Sequence, residues 1–247
     1  MPNSSLLWQA FSLPKRGSTP EEYEDAFAGD PHAGRFAIAD GASESSFAGP
    51  WAKVVVDAFV QTRGSWSAWL PAARARWHDM FEGRDLPWFA EDKFAQGAFT
   101  TVLGVSLASA PEGGPIEFSA SAVGDSCLFH IRNDALHCAF PMTRSTQFSN
   151  TPTLLGSRRR SPESSRTERK LKNGHCRPGD FLLLMTDALA QWFLWEVETG
   201  HKPWHALLRQ NKKGLTDFVE ELRDCRKLKN DDVTLLVICP DPSNIEV

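Results

Sequence analysis

Three short apolar runs in this chain each meet a carboxylate at one end. Residues 36–39 (FAIA) stop at Asp40-Gly41, residues 182–186 (LLLMT) stop at Asp187, and residues 233–237 (VTLLV) follow Asp231-Asp232. Runs this short and this apolar read as strands buried on both faces, and such strands bring their end residues together at one edge of a layered fold. A single Asp at a strand end is ordinary turn chemistry, because its side chain satisfies nearby backbone donors. Three of them are a cluster. Clustered carboxylates raise one another's pKa unless a cation sits among them, and oxygen-only donor sets select hard divalent ions such as Mg²⁺ or Mn²⁺. No His or Cys group has zinc-ligand spacing; His130, His137 and His175 lie apart in the chain and read as structural or surface residues.

The order of elements is mixed. The 36–39 strand is followed by a helix over residues 50–60, where Trp51, Val55, Ala58 and Phe59 share a face, although Val54, Val55 and Val56 would also suit a strand. Residues 63–89 read as one further helix and a loop, broken at Pro71 and Pro87. Short strands then occupy residues 98–108, 116–123 and 127–132, separated by segments such as Gly124-Asp125-Ser126 that are too short for parallel crossovers, so these strands are expected to be antiparallel neighbours. Residues 143–170 are polar and rich in arginine, an excursion from the core. A strand over 181–185, helices over 189–198 and 204–226, and a last strand over 233–239 complete the pattern. Segregated runs of this kind predict an α+β layered fold in one domain spanning 1–247.

Composition narrows the function. The 247 residues carry 27 Lys+Arg against 31 Asp+Glu, a net charge of −4, so bulk attraction to nucleic acid is not expected, and only the local run Arg158-Arg159-Arg160 argues for it. No apolar stretch is long enough to span a bilayer and no secretory leader is evident at the N-terminus, which together predict a cytoplasmic protein with no membrane partner. Five cysteines without C-x-x-C pairing read as reduced thiols. P-loop, dinucleotide-binding and G-x-S-x-G signatures are absent.

The motif order resembles the metal-dependent protein phosphatases, the PPM or type 2C Ser/Thr phosphatases of bacterial type. The resemblance runs through Glu24-Asp25-Ala26, the 36–41 segment FAIADG, the 97–102 segment GAFTTV, Val123-Gly124-Asp125-Ser126, Leu184-Met185-Thr186-Asp187 and the 230–234 segment NDDVT, and so spans most of the chain. It implies a four-layer αββα sandwich, two packed antiparallel sheets flanked by helices, with two Mg²⁺ or Mn²⁺ ions at one end. Asp40, Asp187 and Asp231 would hold the first ion. Asp40 and the Gly41 carbonyl would hold the second, with Glu24 or Asp25 contributing through water. Asp125 would support the site, help hold a third and weaker ion, or serve only as a tight turn. The reaction implied is hydrolysis of phosphoserine or phosphothreonine in proteins by a metal-bound hydroxide. A phosphorylated protein is then the substrate, a separately encoded Ser/Thr kinase the counterpart, and a monomer the expected state. The 143–170 excursion falls where the family carries a flap beside its cleft.

Departures from the family pattern sharpen a second reading. Ala42-Ser43-Glu44 follows Asp40-Gly41 where relatives carry the histidine proposed as proton donor, Ala188 replaces a glycine, and Cys127 stands where arginine is frequent. The phosphate-binding arginine is displaced, which leaves Arg16 as the candidate substrate-binding cation. These differences are what a catalytically weak, phosphatase-like module binding a phosphoprotein or kinase would show.

Overall fold

The computed structural model describes residues 6–42, 45, 47–83, 88–108, 114–158 and 168–241. Strands β1 (Leu7–Leu13), β12 (Val233–Cys239), β11 (Phe181–Met185), β7 (Cys127–Arg132) and β8 (Ala135–Phe140) lie side by side in that order in one sheet. A second sheet has the order β10 (Lys170–Cys176), β6 (Ile116–Val123), β5 (Val102–Ala108), β3 (Arg35–Ala39) and β2 (Ala26–Asp30). Every pairing in both sheets is antiparallel. Helices are α1 (Ala48–Gln61), α2 (Trp66–Asp79), α3 (Trp88–Gln96), α4 (Asp187–Glu198), α5 (Trp204–Leu208) and α6 (Lys212–Asp224).

Three separate apolar cores show how the layers stack. Between the sheets, Phe36 and Ile38 of β3 and Leu103 and Val105 of β5 meet Leu182 and Leu184 of β11 and Leu236 and Ile238 of β12. The alternate residues point outward: Leu183 and Met185 of β11 and Leu235 of β12 pack against Leu189 and Phe193 of α4 and Val219 of α6. On the other side, Ala37 and Ala39 of β3 pack against Trp51 and Val55 of α1 and Trp69 and Trp77 of α2. Each central strand therefore buries both faces, which is why its sequence is continuously apolar. The expected αββα order of layers is the order observed. Small residues on the outer face of β3 and β5 let α1 approach closely, since a Cβ on Gly104 would come within 2.4 Å of the Phe59 ring.

Several local expectations need correction. The strands β6 and β7 are not neighbours: the short connection Gly124-Asp125-Ser126 carries the chain from one sheet to the other, with Gly124 at φ +95° where a side chain would meet Thr101 at 2.7 Å. The 98–108 run is two strands, because Thr101 breaks it into β4 (Phe99–Thr100) and β5. Pro71 sits inside α2 rather than ending it, on an exposed face where the hydrogen bond it forfeits is turned to solvent. A third helix, α3, follows at the end of this stretch, where the sequence reads as loop. The 204–226 segment forms two helices, because Asn211 caps a new start by accepting from Gly214 N at 2.9 Å. The valines at 54–56 are helical, in α1.

The 143–170 excursion is partly fastened to the core. Leu155–Gly156 forms β9, pairing with β4, and the buried Trp51 indole donates to Leu155 O at 2.8 Å. Residues 159–167, including Arg159, Arg160 and Arg166, lie outside the described residues.

Candidate functional site

The sheet order places β3, β11 and the segment entering β12 so that their acidic ends face one cavity of about 480 Å³. Asp40, Gly41, Asp125, Asp187, Asp231 and Lys229 line it, and the excursion contributes residues 149–152 and Leu154 to its wall. The cluster expected from the sequence thus assembles, with the crossover between sheets supplying Asp125.

Each acid is held by its local backbone. Asp40 follows β3, and its carbonyl accepts from Thr101 N at 2.8 Å and from Thr100 Oγ1 at 2.7 Å. Thr101 Oγ1 in turn lies 2.8 Å from Ser126 Oγ, which couples the Asp40 turn to the crossover beside Asp125. Gly41 bridges Thr100, and a Cβ there would sit 2.7 Å from Glu24 O and 3.0 Å from Ala48, so only glycine fits between these backbones. Asp187 opens α4, and its Oδ1 accepts from Ala188 N at 2.6 Å. The backbone carbonyl of Asp231 accepts from Arg223 Nη2 at 2.7 Å.

Glu24 and Asp25 line a neighbouring cleft of about 980 Å³ rather than this cavity. Asp25 is buried, and its Oδ2 accepts from Thr186 Oγ1 at 3.0 Å and Thr234 Oγ1 at 2.7 Å, while Oδ1 has no partner. Asp125 Oδ1 is likewise buried and unpartnered. Glu24 is paired with Lys15 at 3.3 Å. Asp232, next to the predicted ligand Asp231, is structural: it accepts from Lys15 N and Glu24 N, each at 2.8 Å, and so ties the first acidic motif to the last.

Electrostatically the acids outnumber the one cation among the lining residues, Lys229. Burial, followed by the charges of Asp25, Asp187 and Asp231, pushes the Asp40 carboxyl well above the usual carboxylate range. Asp25 is raised by burial and by Asp232 and Asp187 against its threonine hydrogen bonds. Asp125 is pushed up to about 7 by burial and the charge of Asp187. Burial and Asp231 raise Asp187. All these groups are hard oxygen donors, and two of their buried oxygens have no partner, a combination that fits a divalent ion of the Mg²⁺ or Mn²⁺ kind. No three of the described carboxylates lining the cavity have ligand atoms within 4.8 Å of one another. Among the described residues, the trios with ligand atoms within 4.8 Å of one another are His130, Cys176 and Asp180, and the exposed His78, Asp79 and Glu82.

The residue that sequence reasoning missed is Lys229. Its ammonium lies 2.6 Å from Asp231 Oδ2 and 3.6 Å from Asp187 Oδ2, and it is the one Lys or Arg among the residues lining the cavity. Burial lowers its pKa, but the pairing with Asp231 and Asp187 outweighs this and raises it overall. The only available signal was a lysine two positions before a predicted ligand.

Arg16 is a correction. It does not reach the cavity: its guanidinium pairs with Asp224 at 2.8 Å and with Glu220 of α6, while its backbone N–H donates to Asn230 Oδ1 at 2.7 Å. Seven residues of extended β1 and the antiparallel β12 carry it to the α6 side. Arg158 and Arg169, the described arginines at the far end of the excursion, lie over Phe94 and Trp66 at 4.8 and 5.8 Å. Ser43 and Glu44 lie outside the described residues. His130 and His137, distant from zinc spacing in sequence, meet edge to face at 5.0 Å. The buried His130, Cys176 and Asp180 trio is structural: Asp180 is already bonded to Arg132 and His130, each at 2.8 Å, and burial pushes the Cys176 thiol up to about 12, where it stays protonated.

No helix among the described residues is long and apolar enough to cross a membrane. No family model matches the chain, and no curated protein matches its sequence. Its fold does match solved structures. The Mycobacterium tuberculosis serine/threonine phosphatase PstP/Ppp superposes with a TM-score of 0.63 at 18% identity, covering 96% of this chain and 99% of that one. The PstP catalytic domain in complex with two manganese ions gives 0.61 at 19% identity over 95% and 98% of the two chains. The PPM Ser-Thr phosphatase MsPP from Mycobacterium smegmatis, in complex with cacodylate, gives 0.56 at 17% identity over 97% and 100%.

Proposed function

We propose that this chain, sharing the fold of the PPM phosphatases, is a cytoplasmic Mg²⁺- or Mn²⁺-dependent phosphatase acting on phosphoserine or phosphothreonine in proteins. The observation that carries the reading is the convergence of Asp40, Asp125, Asp187 and Asp231 on one cavity, with Asp25 buried close enough for its charge to oppose those of Asp40 and Asp187. In this reading Asp40, Asp187 and Asp231 would hold one ion, and Asp40 with the Gly41 carbonyl would hold a second, with Glu24 or Asp25 contributing through water and Asp125 supporting the site or a third ion. When bound, such ions supply Lewis-acid polarisation of a phosphate ester and of water, and offset the charge that develops during displacement.

The chain's own residues set the geometry. The Thr100, Thr101 and Ser126 hydrogen bonds fix the Asp40 turn against the crossover, and the start of α4 holds Asp187. The excursion residues 149–152 form part of the cavity wall. The test is phosphate release from a phosphothreonine peptide with Mn²⁺, with Mn²⁺ plus chelator, and with Asp40→Asn and Asp187→Asn. Turnover by the wild type with Mn²⁺ alone supports the reading, and equal turnover in all samples removes it.

A second reading is a phosphatase-like binding module of low activity. One specific observation favours it: Lys229 already pairs with two of the acids that would hold an ion. Failure to bind Mn²⁺ together with tight binding of a phosphopeptide would select it.

A further inference from the structure

We propose that Lys229 is a resident counter-cation that competes with the divalent ion for Asp187 and Asp231, and so sets the metal concentration at which the site fills. The inference rests on the metal-site reading above. Its geometry is direct. The Lys229 ammonium bonds Asp231 Oδ2 at 2.6 Å and stands 3.6 Å from Asp187 Oδ2, so its charge sits against one oxygen of each acid that a shared ion would need. Among the described residues these two carboxylates belong to no trio of acidic, histidine or cysteine ligand atoms within 4.8 Å of one another, and the group that stands against both is the Lys229 ammonium.

Other nearby cations are committed elsewhere. Arg16 is spent on Glu220 and Asp224, and Arg223 on Glu220, Pro14 O and Asp231 O. Among the described residues lining the cavity, Lys229 therefore supplies the positive charge. Its side chain is 52% exposed, and its backbone carbonyl is held by Asp231 N at 3.0 Å. A tethered, exposed, four-carbon stem can swing its charge toward solvent without disturbing the strands, so displacement by an ion needs no refolding. The ammonium contributes one positive charge where an ion contributes two. At low metal the lysine holds the acids, and at higher metal the ion replaces it.

Calorimetric titration of Mn²⁺ into the metal-free full chain at fixed ionic strength tests this with a readout independent of turnover. Lys229→Gln keeps the stem and removes the charge. Lys172→Gln, on exposed β10, makes the same change in net charge away from the cavity. The expected result is about tenfold tighter Mn²⁺ binding by Lys229→Gln than by wild type, with Lys172→Gln within about twofold of wild type. The Mn²⁺-induced rise in thermal midpoint should also be larger for Lys229→Gln. Measurable binding with equal or weaker affinity in Lys229→Gln would overturn the competition while leaving the metal site intact. Absence of binding in every protein would overturn the competition and the metal-site reading together.

Discussion

Thr186 and Thr234 face each other where β11 ends and β12 begins, and both hydroxyls donate to the same oxygen of Asp25, at 3.0 and 2.7 Å. Thr186 N donates to Thr234 O at 3.2 Å, and Thr234 N to Thr186 Oγ1 at 3.0 Å, so the pair extends the strand ladder by one rung made partly of side chains. Tyr23 OH bonds Thr234 Oγ1 from the outside. The two strands that present Asp187 and Asp231 are thereby locked to the segment that presents Glu24 and Asp25.

Thr234→Val keeps the shape of this rung and removes a donor from a fully buried carboxylate. The loss should cost about 1–3 kcal/mol, the penalty for a buried polar group left short of a partner. Urea unfolding measures it. A cost below about 0.5 kcal/mol would show that Asp25 does not depend on the threonine.

Gly41→Ala forces a methyl group to within 2.7 Å of the Glu24 carbonyl and 3.0 Å of Ala48. Neither neighbour is a flexible side chain end, so the backbone must move, at about 1–3 kcal/mol. The shift falls between Asp40 and the Glu24-Asp25 segment. We expect phosphate release to fall by more in proportion than stability does, compared with Gly17→Ala, which strains a backbone at φ +92° although nothing lies within 4 Å of its added methyl group.

Arg16→Ala tests the correction to the sequence reading. Because the guanidinium is spent on Asp224 and Glu220 at an exposed site, its removal should lower the thermal midpoint only slightly and leave kcat/KM for a phosphopeptide within about threefold. A fall of a hundredfold with unchanged stability would return Arg16 to the substrate site.

Acid sensitivity should come from the His130, Arg132 and Asp180 network. Burial holds His130 below its ordinary value, against the opposing effect of the hydrogen bond it makes to the Asp180 carboxylate. The unfolded chain then takes up a proton that the folded one refuses, so stability present above about pH 6.5 is lost as pH falls through that value, by at most about 1.4 kcal/mol per pH unit for one proton. Burial raises the Asp180 carboxyl, but hydrogen bonds from Arg132, the Arg177 N–H and His130 outweigh it and hold it below its usual range. Its contribution is present above the usual carboxylate range and is lost as pH falls further. Comparing metal-free wild type with His130→Gln isolates the first effect: the wild type's advantage should shrink between pH 7.5 and 5.5. An advantage that stays constant over that interval would contradict the assignment.

The strands carrying Asp40, Asp187 and Asp231 were legible because burial on both faces leaves an unmistakable apolar run, and a carboxylate at its end is then conspicuous. Asp125 was legible as a turn but not as a crossing between sheets, since a short connection between two strands has the sequence of a hairpin whichever partner the second strand chooses. That choice is made by the three cores, not by the turn. Arg16 was misplaced because proximity in sequence to Glu24-Asp25 says nothing about which side of β1 a long side chain takes once β12 pairs with it. Lys229 was invisible for a related reason: a lysine beside acidic residues reads as a solvated charge until the fold shows that it points into their midst.

The most direct test of the central claim is the anomalous scattering of Mn²⁺ in crystals of the wild-type chain soaked with the ion. The account predicts a peak bound directly by carboxylate oxygens of Asp40, Asp187 and Asp231, with the Lys229 ammonium moved away from Asp187 and Asp231. An empty cavity at saturating Mn²⁺, with Lys229 still seated on both acids, would contradict it.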